Sequence, residues 1–158
     1  MQKPWNRVDQ PVYSFSTIGK TGGNMNIATY VTPVSMKPKR YLCAVYHGTQ
    51  TLVNLESNTR FVLQIMAQEQ AALVRLLGKQ SGKKIDKIAR LEKKKLTTNW
   101  NGFTVLKEAL AWIELEILES MEGGDHRCFI CDVVAYRNNH EGTPLTVKYL
   151  GEQKIISI

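Results

Sequence analysis

A mainly β fold is predicted for this sequence: an antiparallel split β-barrel, Greek-key-like, with a few short helices between its strands. Three observations carry the prediction. Short β-branched or alternating runs recur along the chain, Gly and Pro punctuate them, and two stretches with helical spacing interrupt the strands without any regular βα alternation. At 158 residues the chain is long enough to bury one core without disulfides or metals. One domain over residues 1–158 is therefore expected, with no repeat, low-complexity tract or linker to divide it.

The elements follow in order. Val12, Tyr13 and Phe15 in the stretch Pro11–Thr17 are β-formers, and Gly19, Gly22 and Gly23 separate them from the β-branched stretch Ile27–Val34; together these predict a hairpin. Tyr41–Tyr46 is a third apolar run, closed by Gly48 and Thr49, and Arg60–Met66 is a fourth. Between them, Leu52 and Leu55 are three apart in Gln50–Ser57, and Thr49 stands where a helix N-cap belongs, so a short helix is expected. Gln68–Leu77 carries Ala72, Leu73, Leu76 and Leu77 at helical spacing and meets Gly78, read as its terminator. Ala109–Met121 has helix-favouring composition, yet Ile113 to Ile117 alternate strictly, which predicts a strand. Gly123 and Gly124 make a turn into a strand over Cys128–Tyr136, and Thr146–Leu150 and Lys154–Ile158 are expected to be two short closing strands.

Composition removes several function classes. Met1–Gln10 is polar and lacks the apolar centre of a secretory signal, and no apolar run reaches the ~18 residues of a membrane helix, so the expected compartment is the cytoplasm, away from membranes. Three cysteines form no complete disulfide framework. The net charge of +7 is local, because Lys79 to Lys95 holds eight basic residues against Asp86 and Glu92, a net of +6. That segment has no aromatic residue to interleave with its charges, which argues against a nucleic-acid face. It reads as a solvated helix and loop or, more sharply, as an anion-attracting rim beside a phosphate-bearing ligand.

Motif by motif, other chemistries fall away. Gly19-Lys20-Thr21 lacks the upstream glycine of a P-loop, since position 14 is Ser14. Cys128 and Cys131 have no second pair, and residues three apart on a strand face opposite ways. His47, His126 and His140 show no metal-binding spacing, and no serine sits in a nucleophile elbow.

Four stretches in series nevertheless resemble the flavin reductase-like, FMN-binding split-barrel family. Asn24 to Ser35, followed by Met36-Lys37-Pro38, is similar to the family's strand and turn beside the isoalloxazine ring, ending in a Val-Ser-x-x-Pro signature. His47-Gly48-Thr49-Gln50-Thr51-Leu52-Val53-Asn54-Leu55 is similar to its flavin-phosphate segment. Glu108 to Glu114 and Gly124-Asp125-His126-Arg127-Cys128-Phe129-Ile130 are similar to a family strand and to its Gly-Asp-His strand opening. With Phe61–Ile65 and Pro144-Leu145, these stretches span most of the chain from Pro11 to Gly151. Two positions depart from the pattern: Lys37-Pro38-Lys39 replaces an acidic-Pro-Pro, and His47-Gly48 stands where many members carry Arg.

The resemblance implies FMN, with FAD as the alternative flavin, and NADH or NADPH as hydride donor. It further implies a homodimer, and a flavin-dependent oxygenase or another electron acceptor as the destination of reduced flavin. Its candidate flavin-binding residues here are Asn26, Ile27, Ala28, Thr29, Tyr30, Ser35, Lys37, His47, Gly48, Thr49 and Thr51, with His126 as the residue that positions a nicotinamide. The residue types suit those tasks. Small Ala28 lets a backbone approach a planar ring, and the turn Gly48–Thr51 offers hydroxyls and free amides at a helix start, where partial positive charge favours a phosphate. Trp112, within an alternating strand, reads as core. Two competing readings remain open at this level: a non-enzymatic flavin carrier or store, and a basic binding module using Lys79 to Lys95.

Overall fold

The computed structural model describes residues 2–157. Seven strands form one antiparallel sheet: β1 (Tyr13–Gly19), β2 (Gly22–Met25), β3 (Val31–Ser35), β4 (Arg40–Tyr46), β5 (Arg60–Ile65), β8 (Ala111–Glu122) and β9 (His126–Asn138). Their spatial order is β2-β1-β5-β8-β9-β4-β3, and a separate hairpin pairs β6 (Thr97–Trp100) with β7 (Phe103–Leu106). Four helices intervene, α1 (Gln50–Ser57), α2 (Val74–Lys79), α3 (Lys87–Lys93) and α4 (Val147–Glu152). The mainly β, split-barrel expectation holds.

Alternation along the strands builds two cores. On β5, Phe61 and Leu63 point to one face and join Phe15, Cys43, Leu115 and Phe129 inside the barrel; Val62 points to the other, with Met25, Leu77, Leu91 and Trp112. Leu52 and Leu55 of α1 belong to the first of these clusters, so α1 plugs the barrel. Trp112 is buried as expected, its indole N–H donating to the Leu106 carbonyl at 3.0 Å. Gln64, fully buried, accepts from Leu106 N–H and so fastens the β6–β7 hairpin to the sheet. Register irregularities at Glu114/Leu115 and Ile117/Glu119 accompany the long β8–β9 pair, where bulges allow bending.

Several expectations are corrected. The first hairpin is β1 with β2, not β1 with Ile27–Val34, because the chain turns at once through Lys20-Thr21 into Gly22, whose φ of +126° glycine tolerates. Residues 27–30 form no strand; β3 starts at Val31. Over Gln68–Leu73 the backbone winds as a 3-10 helix before α2, and Gly78 lies inside α2. A Cβ at Gly78 would sit 3.3 Å from Ile27 Cγ1, so this glycine permits a close approach and does not terminate the helix. Thr146–Leu150 is not a strand: Thr146 caps α4 by accepting from Tyr149 N–H at 3.2 Å. Nor does a strand follow, since residues 154–157 are turns and bends, and Ile158 lies outside the described residues.

Candidate functional site

The sheet is almost closed where the chain passes from β2 to β3. Ala28 exchanges two 2.8 Å backbone hydrogen bonds with Tyr13 of β1, and two residues later the Tyr30 carbonyl accepts from Ala44 N–H of β4. The segment 26–30 therefore spans the seam of the barrel. Peptide groups alternate in direction along an extended chain. With Ala28 turned to Tyr13, the peptide groups of Ile27 and Thr29 face the other way. They make no backbone hydrogen bond among the described residues. Both residues line a cavity of about 460 Å³, within the size range of small-molecule and cofactor sites.

At the far side of this cavity lies the start of α1, held by a polar lattice. Thr49 caps it, its hydroxyl accepting from Leu52 N–H at 3.3 Å and donating to the Tyr46 carbonyl at 2.8 Å. Thr51, 1% exposed, accepts from Asn24 Nδ2 at 3.2 Å, and Asn54 Nδ2 donates to Thr17 Oγ1 at 3.0 Å. Gly19 abuts Asn54 so closely that a Cβ there would collide with it. Helix α1 is thus locked to β1 and β2, with the N–H groups of Gln50 and Thr51 left in its first turn. Thr49→Val removes the cap and is expected to cost about 1 kcal/mol, measurable as a lower urea midpoint.

A third wall comes from the segment between α2 and α3. Gly82 lies against α1, since a Cβ there would strike Asn24 Oδ1 and fall 3.1 Å from Gln50 Cβ. Behind it Lys87 is buried, at 4% exposure, and also lines the cavity. Desolvation lowers its ammonium pKa to about 8.

Of the residues expected at the site, Asn26, Ile27, Ala28, Thr29, Tyr30, Gly48, Thr49, Thr51 and His126 all line this one cavity. His126 opens β9 opposite Tyr46, its ring 4.9 Å from that of Tyr30 and 5.3 Å from that of Tyr46. Its Nδ1 is 2.6 Å from Asp125 Oδ1, which orients the ring. Ser35, Lys37 and His47 are not brought in. Ser35 pairs with Arg40 at the opposite end of β4 from Tyr46, and a strand of that length separates its ends by about 20 Å. The His47 imidazole turns instead to Glu122 Oε2, 2.8 Å away. The Thr49 and Thr51 hydroxyls take part in the helix lattice, which leaves the amides of the turn as its principal free donors.

Asn24, Tyr46 and Gln50 line the cavity without being expected there individually, whereas Lys79, Gly82 and Lys87 bring to it the near part of the segment Lys79 to Lys95 read as an anion-attracting rim. For Lys87 a signal existed: Asp86 is an N-cap, and Lys87 and Leu91 are four apart, hence on one helix face with an apolar partner.

The donor set suits a flavin mononucleotide: free peptide edges along 26–30, amides at a helix start, and a cationic group at that end. The sequence profile of the flavin reductase like domain matches residues 5–152. The chain belongs to this family. A protein of Nostoc sp. named as diflavin flavoprotein A 2 is 28% identical over 134 residues, 84% of this chain. This flavin reductase-like chain spans only 23% of that relative's length. Among solved structures, an FMN-binding protein from Thermus thermophilus, determined with bound 1-cyclohex-2-enone, is 24% identical. It superposes with a TM-score of 0.76 over 87% of this chain and 75% of its own. The styrene monooxygenase flavin reductase of Pseudomonas putida S12 is 20% identical, with a TM-score of 0.73 over 87% of this chain and 85% of its own. At such identity these likenesses establish the shared fold. No helix among the described residues is long and apolar enough to cross a membrane.

Proposed function

We propose that the chain is a single-domain flavin reductase that binds FMN in the seam cavity and accepts hydride from NADH or NADPH. In this reading it works in the cytoplasm as a homodimer and supplies reduced flavin to a flavin-dependent oxygenase or another electron acceptor. The observation that carries the proposal is the convergence, in one cavity of a flavin reductase-like domain, of the free peptide edge of residues 26–30 with the first turn of α1.

Each residue has a task. Ile27 and Thr29 offer N–H and C=O groups to the polar edge of the ring, while Ala28 keeps that stretch slim. Gln50 and Thr51 N–H groups, reinforced by the α1 dipole, receive the phosphate. A flavin held there would supply the redox chemistry, hydride acceptance from a nicotinamide. Alignment matters more than acid–base catalysis for such a transfer, and the Tyr30–His126–Tyr46 cluster at the mouth offers aromatic faces for it. Asp125 holds the imidazole in place.

The test is a spectrum. Protein mixed with FMN and freed of excess should stay yellow, and anaerobic NADH or NADPH should bleach it, whichever acts faster being the donor. Retained colour with no bleaching by either would point to a flavin carrier or store; absence of both retention and turnover with free FMN would end the flavin reading. His126→Ala is expected to raise the KM for the dinucleotide about fivefold, as loss of one aromatic contact of ~1 kcal/mol implies, without changing FMN retention.

A further inference from the structure

We propose that the cleft between α2 and α3 is a docking site for an acidic, leucine-bearing segment of a partner protein. The cleft is distinct from the seam cavity, and the inference stands independently of the flavin reading.

The cleft measures about 660 Å³. Its floor is apolar. Leu73 and Leu76 are three apart, hence on one helical face, and both are only half-buried; Leu91 of α3 is fully buried. Its rim is cationic, with Arg75 on α2 facing Arg90, Lys93 and Lys94 at the end of α3, all four exposed. No carboxylate lines the cleft. Among the described residues none of these cations is in an ion pair. Arg90 is held in place by a neutral group, its Nη1 donating to Gln80 Oε1 at 3.2 Å.

A solvated helix end explains part of this pattern. Arg90 and Lys93 lie in the last turn of α3, where a cation suits the partial negative charge of the helix terminus. It does not explain Arg75, which stands in the first turn of the facing helix, where the same effect is unfavourable. Nor does it explain like charges gathered around half-covered leucines with no carboxylate between them. Mutual repulsion and uncovered apolar surface are both relieved by one kind of occupant, a segment that brings carboxylates to the rim and aliphatic side chains to the floor.

The neighbouring surface favours a protein over a nucleic acid. Across Ala72 and Leu73 the cleft gives way to a second hollow, which carries the exposed carboxylates of Glu69, Glu108 and Glu141. A nucleic-acid strand is anionic along its whole length, so it would run into these carboxylates and leave the leucines bare. The stretch Lys79 to Lys95 also lacks the aromatic residues on which bases stack. A short amphipathic segment fits between the two helices, its leucines at helical spacing on the floor and its Asp or Glu residues against the rim. Gln80 lines both the cleft and the seam cavity, so a partner seated there lies against the cavity wall.

The probe is a fluorescein-labelled peptide of about fourteen residues, with leucines at helical spacing flanked by glutamates, titrated with the full chain and followed by anisotropy. Saturable binding that weakens with salt is expected. Arg90→Glu/Lys94→Glu should lower the affinity roughly tenfold, while Lys20→Glu/Lys148→Glu, an equal change of charge on exposed residues elsewhere, should bind as wild type does. Replacing the peptide's leucines with serine should also cost roughly tenfold. No binding, or equal loss in the two double variants, overturns the inference. So does a serine peptide or a single-stranded oligonucleotide that binds as tightly as the leucine peptide, since the cleft would then be a general polyanion patch. The peptide comparison uses wild-type protein, so a folding defect in Arg90→Glu/Lys94→Glu would not shield the inference. FMN retention is measured on the same wild-type sample: its failure with peptide binding intact brings down the flavin reading alone, and the reverse result brings down the docking site alone.

Discussion

Phe61→Ala is expected to destabilise the protein by about 3–5 kcal/mol, the range for deleting a buried aromatic side chain from a packed core. Phe61 is fully buried at the centre of the barrel interior, where its ring meets that of Phe15 edge-on at 5.2 Å and 81°. Such pairing adds to the burial energy. Its strand, β5, is hydrogen-bonded on both sides, to β1 and to β8, so the backbone has little freedom to collapse into the space left. For a chain of this size the loss corresponds to a fall in Tm of roughly 6–20 °C. Function should suffer with it, because Ala28, at the centre of the seam segment, and Val31, just after it, pack in the same cluster. A Tm within ~2 °C of wild type would mean that the barrel interior is not packed around this ring.

How far the sequence discloses this arrangement depends on the kind of signal. Strict alternation from Ile113 to Ile117 is enough to identify β8 against its helix-favouring composition, and the Thr49 cap with Leu52 and Leu55 identifies α1, because both signals are local. Thr146 shows the limit. Val147 and Leu150 suit a strand or a short helix, and the cap that decides for a helix is one hydroxyl on Tyr149 N–H. The β6–β7 hairpin, absent from the expected elements, has a local signal too: Asn101 and Gly102, with φ of 48° and 84°, form the tight left-handed turn that an Asn-Gly pair favours. The site is legible in part for the same reason. Asn26 to Tyr30 and Gly48 to Thr51 lie in two short stretches with recognisable patterns. Ser35 and Lys37 follow the first stretch closely in sequence, yet the length of β4 carries their turn away from the cavity. Lys87 joins the site only through tertiary packing of α3 against β2 and α2, seen in the approach of Gly23 to Ile88 and the bond from Lys87 to Leu77.

Lys87→Met is expected to make the ligand-free protein more stable at neutral pH, by about 2 kcal/mol, and to remove a rise in stability that the wild type shows in alkali. The unperturbed lysine value is 10.5 and the folded value about 8, a difference that corresponds to about 3 kcal/mol against the buried ammonium. Methionine fills a similar volume without a charge, and leaving the Leu77 carbonyl without its donor returns about 1 kcal/mol of that gain. The sign of the pH effect follows from proton counts. Below about pH 8 the folded and unfolded chains both hold the proton and stability is flat. Between about 8 and 10.5 the unfolded chain binds more protons, so wild-type stability rises with pH; the variant lacks the rise. Tyr13 and Tyr41 work in the opposite direction, since burial raises their pKa values above 10.0 and stability falls as the unfolded tyrosines ionise. Urea midpoints of wild type and variant should therefore be compared at about pH 7 and about pH 9.5, below that range. The expected gap favours the variant at the lower pH and narrows at the higher. A variant less stable at neutral pH would show that Lys87 is a net stabilising helix clasp, and a gap that does not change with pH would show that its charge is not what costs stability. The opposite result identifies it as a charge retained at a cost to the fold, which is what a ligand-binding group in a buried wall is expected to be.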